Sequence, residues 1–283
     1  MNEVYKSYAI YLFYFYLQTI NMGFYDLNKA DRILLVEKIT QEITNDLTSI
    51  ETENIIKHFS DEDTYIRKTG YLAIGKLFYS KPELQPTILS TLQALLKLDA
   101  STTLTTSPEK VRQTVVNAAG EIGKFHFEKV QSFFDTGLFD EHHSVRNAVI
   151  GSVKKMGEKN PIPVLNWAKT YLKHPEKEIR REICHGIELR GRTHPQDILP
   201  LLKTLEFDET RRVSDTLIHV LGQIAYKNGC LKTVVAHLNT WKNKPLVEKA
   251  LDEIIDVHDR YKKFAVLTQQ EAIDYVDEHY NSK

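Results

Sequence analysis

A short unit recurs along this chain at a fixed interval, and that interval limits which folds the chain can adopt. The unit is a β-branched residue followed by Arg at the start of an apolar helical stretch. Val111-Arg112, Val145-Arg146 and Ile179-Arg180 follow one another at intervals of 34 residues. The same slot returns 34 residues later at Val213-Ser214, and again at Val247-Glu248, without the Arg. A fixed period between about 20 and 50 residues indicates stacked supersecondary units rather than one closed core.

One earlier copy of the unit stands farther away. Ile66-Arg67 lies 45 residues before Val111, and the polar insertion Asp99–Pro108 accounts for the additional 11. An acidic residue also stands six residues before the Arg slot, at Asp61, Asp140 and Asp208. Insertions in repeat arrays gather on one face, often the binding face, although a loop that is merely tolerated is the other interpretation.

The hydrophobic pattern predicts helices throughout. Apolar residues recur at helical spacing, and no stretch alternates apolar and polar residues as a strand does. Prolines fall between the helical stretches, where a missing N–H costs nothing. We therefore predict an all-α fold, a right-handed α-α superhelix of about six helix pairs. The predicted helices are 28–47, 53–59, 64–79, 83–98, 109–125, 128–139, 144–158, 163–172, 177–189, 196–207, 211–227, 231–241, 246–261 and 269–279.

Three regions follow from this pattern: an N-terminal aromatic segment (1–27), the repeat array (28–261) and an acidic C-terminal capping helix (262–283). The aromatic run Tyr8–Leu17 is shorter than the roughly 20 residues that a membrane span needs. It also lacks the cleavage site of a signal peptide. We expect a packed or partly exposed first helix; translation from Met22 and a membrane or export role are the alternatives.

Charge and cysteine usage narrow the function classes. The formal net charge is −1, which excludes a nucleic-acid-binding protein whose whole surface is basic. Residues 167–244 nevertheless hold 14 Lys and Arg against 9 Asp and Glu, whereas residues 248–283 hold 5 against 9. A local anionic partner is therefore compatible with the sequence. Cys184 and Cys230 have neither metal-binding nor disulfide spacing, so we expect a reducing, cytoplasmic location without a cofactor.

The helix pair, the Asp in its turn and the Val-Arg that opens the second helix together resemble HEAT repeats, an armadillo-like helical architecture. The resemblance covers about residues 51–261. It implies that the Asp and Arg side chains form a ladder between neighbouring units, with a structural role that fixes their register. The implied ladder consists of Asp61, Arg67, Arg112, Asp140, Arg146, Arg180 and Asp208.

A narrower resemblance covers residues 167–241. The stretch that begins with His174-Pro175 and carries Arg180-Arg181 is similar to HEAT-type DNA alkylation-repair proteins. In that family the solenoid cradles duplex DNA on its concave face and releases alkylated bases. Here the family's aromatic residue after the Arg pair is missing from Arg190–Pro195, and Ser214 replaces Arg. These departures weaken the case for base excision.

The densest arginine set of the chain allows two interpretations. One is a strip that contacts nucleic-acid phosphates. The other is a mixture of ladder residues and a solvated surface, because Glu176, Glu178, Glu182 and Glu188 are interleaved. The six candidates for nucleic-acid binding are Arg180, Arg181, Arg190, Arg192, Arg211 and Arg212.

No catalytic or metal-binding signature accompanies these arginines. The nearest carboxylates (Asp215, Glu182 and Glu188) have the spacing of surface charges. His142-His143 and His185 form no chelating pattern along the chain, so we predict no metal site.

Two functions remain open. The first is a non-enzymatic interaction scaffold that binds a protein partner on its concave face. The alternative is a DNA-binding protein of the alkylation-repair kind without intact excision chemistry. If the chain is an enzyme, the resemblance implies a DNA glycosylase for alkylated bases. Membrane association is not favoured.

Overall fold

The structure is a computed structural model that describes residues 23–99, 101, 107–227 and 229–281. Every regular element within these residues is helical. Short 3₁₀ turns cover Phe24–Asp26, Pro82–Leu84 and Lys203–Leu205. The α-helices are α1 Lys29–Ser49, α2 Glu53–Phe59, α3 Thr64–Ser80, α4 Gln85–Leu95, α5 Pro108–Gly137, α6 His143–Lys159, α7 Pro161–Tyr171, α8 Lys177–Gly186, α9 Glu188–Gly191, α10 Pro195–Leu202, α11 Arg211–Ala225, α12 Cys230–Leu238, α13 Lys244–Arg260 and α14 Gln269–His279.

The predicted all-α helical-repeat fold is confirmed. Most helices begin at a residue whose side chain caps the helix or at a proline in the first turn. Asn28 accepts a hydrogen bond from the Asp31 N–H, and Thr268 forms the predicted capping box with Glu271. Prolines occupy the first position of α5, α7 and α10, where the helix does not need a backbone donor.

Most helices lie within a few residues of their predicted bounds, and three stretches differ in how the helix is divided. The helices predicted at 109–125 and 128–139 follow each other as α5, with non-helical backbone only at His126 (φ −134°, ψ 59°). The helix predicted at 177–189 is interrupted at Ile187, which separates α8 from α9. The helix predicted at 196–207 ends at Leu202 and tightens into the following 3₁₀ turn. Pro200 lies inside it and supplies no backbone donor.

The chain divides into two compact units. The first contains the described residues up to Glu121 together with Asp140–Val145. In it α1 packs against α2, α3 and α4. Its core is formed by fully buried side chains of these helices and of the first half of α5, among them Ile39, Ile43, Phe59, Phe78 and Val115.

The second unit contains Ile122–Phe139 and Arg146 onward. Its helices alternate between first helices (the second half of α5, α7, α10 and α12) and second helices (α6, α8 with α9, α11 and α13). The second helix α11 packs between α8 and α13, while α12 lies against α10 and α11. The C-terminal helix α14 packs on α12 and α13. Phe134, Trp167, Leu217 and Trp241 are among its buried side chains.

A glycine sets the spacing of one pair of second helices. A Cβ on Gly222 of α11 would lie 2.6 Å from the Cγ of Glu253 and 3.3 Å from its carbonyl oxygen on α13. The two backbones therefore approach each other at a distance that excludes a larger residue. This close approach brings the polar side chains of α11 and α13 within reach of each other.

Two stretches considered in the sequence lie outside the described residues: the aromatic run Tyr8–Leu17 and most of the insertion Asp99–Pro108. Within the described part of the chain, no helix is both long enough and apolar enough to cross a lipid bilayer.

Candidate functional site

Arg112 holds the turn that precedes α6. Its Nε and Nη2 donate to the two carboxylate oxygens of Asp140, at 2.7 and 3.0 Å. Its Nη1 donates to the carbonyl oxygen of Leu98 at 2.7 Å. Burial opposes a charged guanidinium, but its hydrogen bond to Asp140 is the larger effect and raises the pKa of Arg112. Because the guanidinium binds both oxygens of Asp140 and a backbone carbonyl at once, it fixes the turn from which α6 starts.

The same arrangement recurs at Arg180. Its Nε and Nη2 donate to Asp208 at 2.5 and 3.1 Å, and its Nη1 donates to the carbonyl oxygens of His174 and Pro175 at 2.8 Å each. Each Arg binds the Asp that follows it by 28 residues (140 − 112 and 208 − 180). His174 occupies the position 28 residues after Arg146, so this copy of the repeat has no Asp there.

The other predicted ladder residues have different surroundings. Arg67 donates to the backbone carbonyl oxygens of Asp61 and Glu62, at 2.5 and 3.0 Å. Arg146 lies 3.5 Å from the buried carboxylate of Glu182. Burial raises the pKa of Glu182, and the charges of Arg146 and Arg181 oppose that rise.

The remaining candidates for phosphate binding also have acidic neighbours. Arg181 contacts Glu178 at 2.9 Å and Glu182 at 3.5 Å. Arg190 binds Asp197 at 2.7 Å, and Arg192 donates to Glu188 from Nε at 2.8 Å.

Two of the six arginines are more exposed. Arg212 binds Glu178 at 2.7 Å, and Arg211 lies 3.5 Å from Asp215. Their side chains are 65% and 92% exposed, respectively. Each of the six guanidinium groups therefore has a carboxylate within 3.5 Å, so the set is not a strip of unpaired positive charge.

The second helices of the second unit share a polar face, which we call the second-helix face. It consists of four rows in which equivalent residues are 34 positions apart along the sequence. These rows contain five Lys or Arg and four acidic side chains, together with two histidines. The rows are Arg181, Asp215 and Lys249; His185, His219 and Glu253; Lys154, Glu188, Gly222 and Asp256; and Arg192, Tyr226 and Arg260.

Contacts between adjacent second helices join these rows into a network. The Lys154 ammonium lies 2.9 Å from the Nε2 of His185 and 3.2 Å from the Oε2 of Glu188. Arg192 donates to Glu188 and, at 2.8 Å, to the side-chain oxygen of Gln223. Tyr226 stacks on Tyr261 with a centroid separation of 5.4 Å.

Glu188 is the centre of this network. Its side chain is only 2% exposed, so burial opposes its ionisation. His185, Lys154 and Arg192 together more than offset burial and lower the pKa of Glu188 to about 2. Glu188 is therefore a fully ionised, buried carboxylate that holds three cationic or donor groups in place.

His219 continues the network toward α13. Its ring centroid is 6.1 Å from that of His185, and its Nδ1 lies 3.7 Å from Glu253. Burial lowers the pKa of His219, while Glu188 and Glu253 act in the opposite direction.

The sequence interpretation missed the grouping of His185 and His219. Local chelating spacings do not connect these two residues, which the repeat period of 34 (219 − 185) brings together. The same interval joins Lys154 to Glu188, and His219 to Glu253. The signal was therefore present in the sequence, at the interval already found from the Val-Arg units.

The chain matches no known protein-family model and no curated protein. The X-ray structure of the E. coli protein YibA is 18% identical, covers 89% of this chain and 89% of its own, and gives a TM-score of 0.39. In the complex of CpcE and CpcF of phycocyanin lyase from Nostoc sp., the matched chain is 15% identical; the match covers 80% of this chain and 93% of that one, with a TM-score of 0.31. A computationally designed armadillo repeat protein for modular peptide recognition is 16% identical. That match covers 73% of this chain and 99% of the designed chain, with a TM-score of 0.32.

The helices and their packing, rather than these similarities, establish the fold. The chain is an all-α helical-repeat protein. Within the second unit, its repeats place one conspicuous polar network, centred on Glu188, on the second-helix face.

Proposed function

We propose that this chain is a non-enzymatic helical-repeat scaffold that binds a segment of a protein partner along the second-helix face. In HEAT repeats, which the sequence resembles, the concave side is the expected position of such a face. The partner would be an extended or helical segment with both acidic and basic side chains.

The observation that carries this proposal is the mixture of positive and negative charge in the rows, which alternates in sign along the first of them. Arg181, Asp215 and Lys249 succeed each other at equivalent positions of three second helices. A surface of alternating sign complements a chain with mixed charges, whereas a polyanion requires an excess of positive charge. The pairing of each of the six arginines with a carboxylate also favours a partner of mixed charge over a polyanion.

The test compares two charge-balanced variants of the full chain. One carries Asp215→Lys and Lys249→Glu on the second-helix face. The matched control carries Glu128→Lys and Lys232→Glu on first helices, so both variants keep the wild-type net charge. Immobilised wild-type protein is used to capture partners from its native cells, and the captured protein is then purified and titrated by calorimetry.

We expect the face variant to weaken the titrated affinity by at least about tenfold, since like charges would then face each other across the interface. The control should bind as the wild type does. Equal affinity of all three proteins, or loss of binding in the control alone, would show that the partner uses another surface.

The exposure of Arg211 and Arg212 favours one alternative, binding to DNA phosphates at the start of α11. Fluorescence anisotropy with a labelled DNA duplex at about 50 and 200 mM salt separates the two functions. Two phosphate contacts would reduce the affinity about tenfold across that range, and six about a thousandfold. The scaffold function predicts no binding at the lower salt concentration. Binding that is abolished by Arg211→Glu with Arg212→Glu would overturn the scaffold proposal in favour of DNA.

A further inference from the structure

We propose that His185, Glu188 and His219 form a binding site for a divalent transition-metal ion of the Zn²⁺ class. One potential ligand atom from each residue lies within 4.8 Å of the other two. Two imidazoles and one carboxylate are a common protein ligand set for this ion, with the fourth position left open. The site would be additional to the binding of a protein partner.

The distances suit the ion after a small movement of one side chain. Bond lengths of about 2.1 Å in a tetrahedral site place ligand atoms about 3.4 Å apart. The Nε2 of His185 and the Oε2 of Glu188 are already 3.2 Å apart. His219 closes the set from the neighbouring helix α11, and because its side chain is 44% exposed, it has room to adjust.

The Lys154 ammonium contacts two of the three ligands. It lies 2.9 Å from the Nε2 of His185 and 3.2 Å from the Oε2 of Glu188. An ammonium group only donates hydrogen bonds, so in the tautomer with its proton on Nδ1 the Nε2 of His185 accepts from Lys154, as the Oε2 of Glu188 does, and both atoms then present lone pairs to a cation. A metal ion would take over these lone pairs, and the long, flexible lysine side chain would move aside. Lys154 is therefore an internal competitor of the ion.

The surroundings of the three ligands also fit a metal site. Arg192 binds the Oε1 of Glu188 and is itself held by Gln223, which orients the carboxylate and leaves its Oε2 for the ion. The Nδ1 of His219 lies 3.7 Å from Glu253. A carboxylate behind a metal-binding imidazole fixes the orientation of the ring and increases its basicity.

The site is accessible although its carboxylate is buried. The side chains of His185 and His219 are 35% and 44% exposed, whereas that of Glu188 is 2% exposed. An ion can therefore enter from solvent and meet a carboxylate that Arg192 holds in place. The open fourth position would face solvent on the second-helix face.

The experiment titrates the full chain, freed of metal by a chelator, with Zn²⁺ by calorimetry and with Co²⁺ by visible absorption. His185→Ala and His219→Ala each remove one ligand. His143→Ala, an exposed histidine outside the cluster, is the matched control. Lys154→Met removes the competing ammonium while retaining most of the side-chain volume.

We expect one equivalent of Zn²⁺ to bind the wild type, and intense Co²⁺ bands typical of a tetrahedral site. Each ligand variant should weaken binding by about tenfold or more, the control should not, and Lys154→Met should tighten it. Any of three results would overturn the proposal: no binding to the wild type, equal binding to His219→Ala and the wild type, or binding to Lys154→Met alone. In the last case the lysine would be the permanent cation of the cluster.

Discussion

Replacing Arg112 with Met should destabilise the first unit more than any exposed arginine replacement. The Arg112 side chain is 8% exposed and its partner Asp140 is 9% exposed. Met retains much of the volume but removes three hydrogen bonds, two to Asp140 and one to the Leu98 carbonyl. The Asp140 carboxylate would then remain buried without the Arg112 guanidinium.

The magnitude follows from that burial. Removing one partner of a buried ion pair lowers the free energy of unfolding by about 3–5 kcal/mol. Asp140 also accepts a hydrogen bond from the His142 N–H at 2.8 Å, which Arg112→Met leaves intact. We therefore expect the lower end, a loss of about 3 kcal/mol in the free energy of unfolding.

The assay is urea unfolding followed by far-ultraviolet circular dichroism, with thermal unfolding as a second measurement. Arg211→Met is the control, because that side chain is 92% exposed and lies 3.5 Å from its partner, and its unfolding midpoint should equal that of the wild type. A double-mutant cycle with Asp140→Asn measures the coupling directly. If Arg112→Met unfolds at the urea concentration of the wild type, the pair does not hold this turn.

Three further predictions concern the second unit. Gly222→Ala should lower the urea unfolding midpoint because its Cβ would collide with α13. Gly151→Ala is the matched control: no atom lies within 4 Å of the added Cβ, so the change should stabilise its helix by about 0.5–1 kcal/mol. Urea unfolding measures both effects. The pKa of Glu188 falls from 4.5 to about 2, so its carboxylate stabilises the fold above about pH 4.5 and that contribution is lost as the pH falls toward 2. Glu188→Gln should remove up to about 3 kcal/mol at neutral pH and flatten the acid side of the stability profile, and an unchanged profile would contradict the assignment. Arg146→Ala should cost about 2 kcal/mol because the buried carboxylate of Glu182 loses a cation, and an unchanged melting temperature would remove that role.

The arginines show which features the sequence predicts and which depend on helix packing. Their spacing identified helix starts, because a helix that must pack in a repeat needs the same residue types at the same points of each unit. Their charge alone suggested phosphate binding for six of them. Which carboxylate each guanidinium meets also depends on how neighbouring helices pack, and that packing pairs Arg180 with Asp208 and Arg212 with Glu178.

The histidine cluster shows the same division. His185 and His219 are 34 residues apart in the sequence, and no local spacing rule connects them. The repeat places them on the adjacent second helices α8 and α11, while the close approach of α11 to α13 at Gly222 lies near the contact of His219 with Glu253. The rows of the second-helix face could have been derived from the period, whereas the distances within them could not.

The sequence by itself determined the helical class, the period of the repeat and the starts of most helices, since hydrophobic spacing, caps and prolines act within a few residues of chain. Only the tertiary structure decided which charged side chains neutralise each other and where Glu188, His185 and His219 converge. Those outcomes depend on side-chain distances across helices, which the spacing of residues along the chain does not specify.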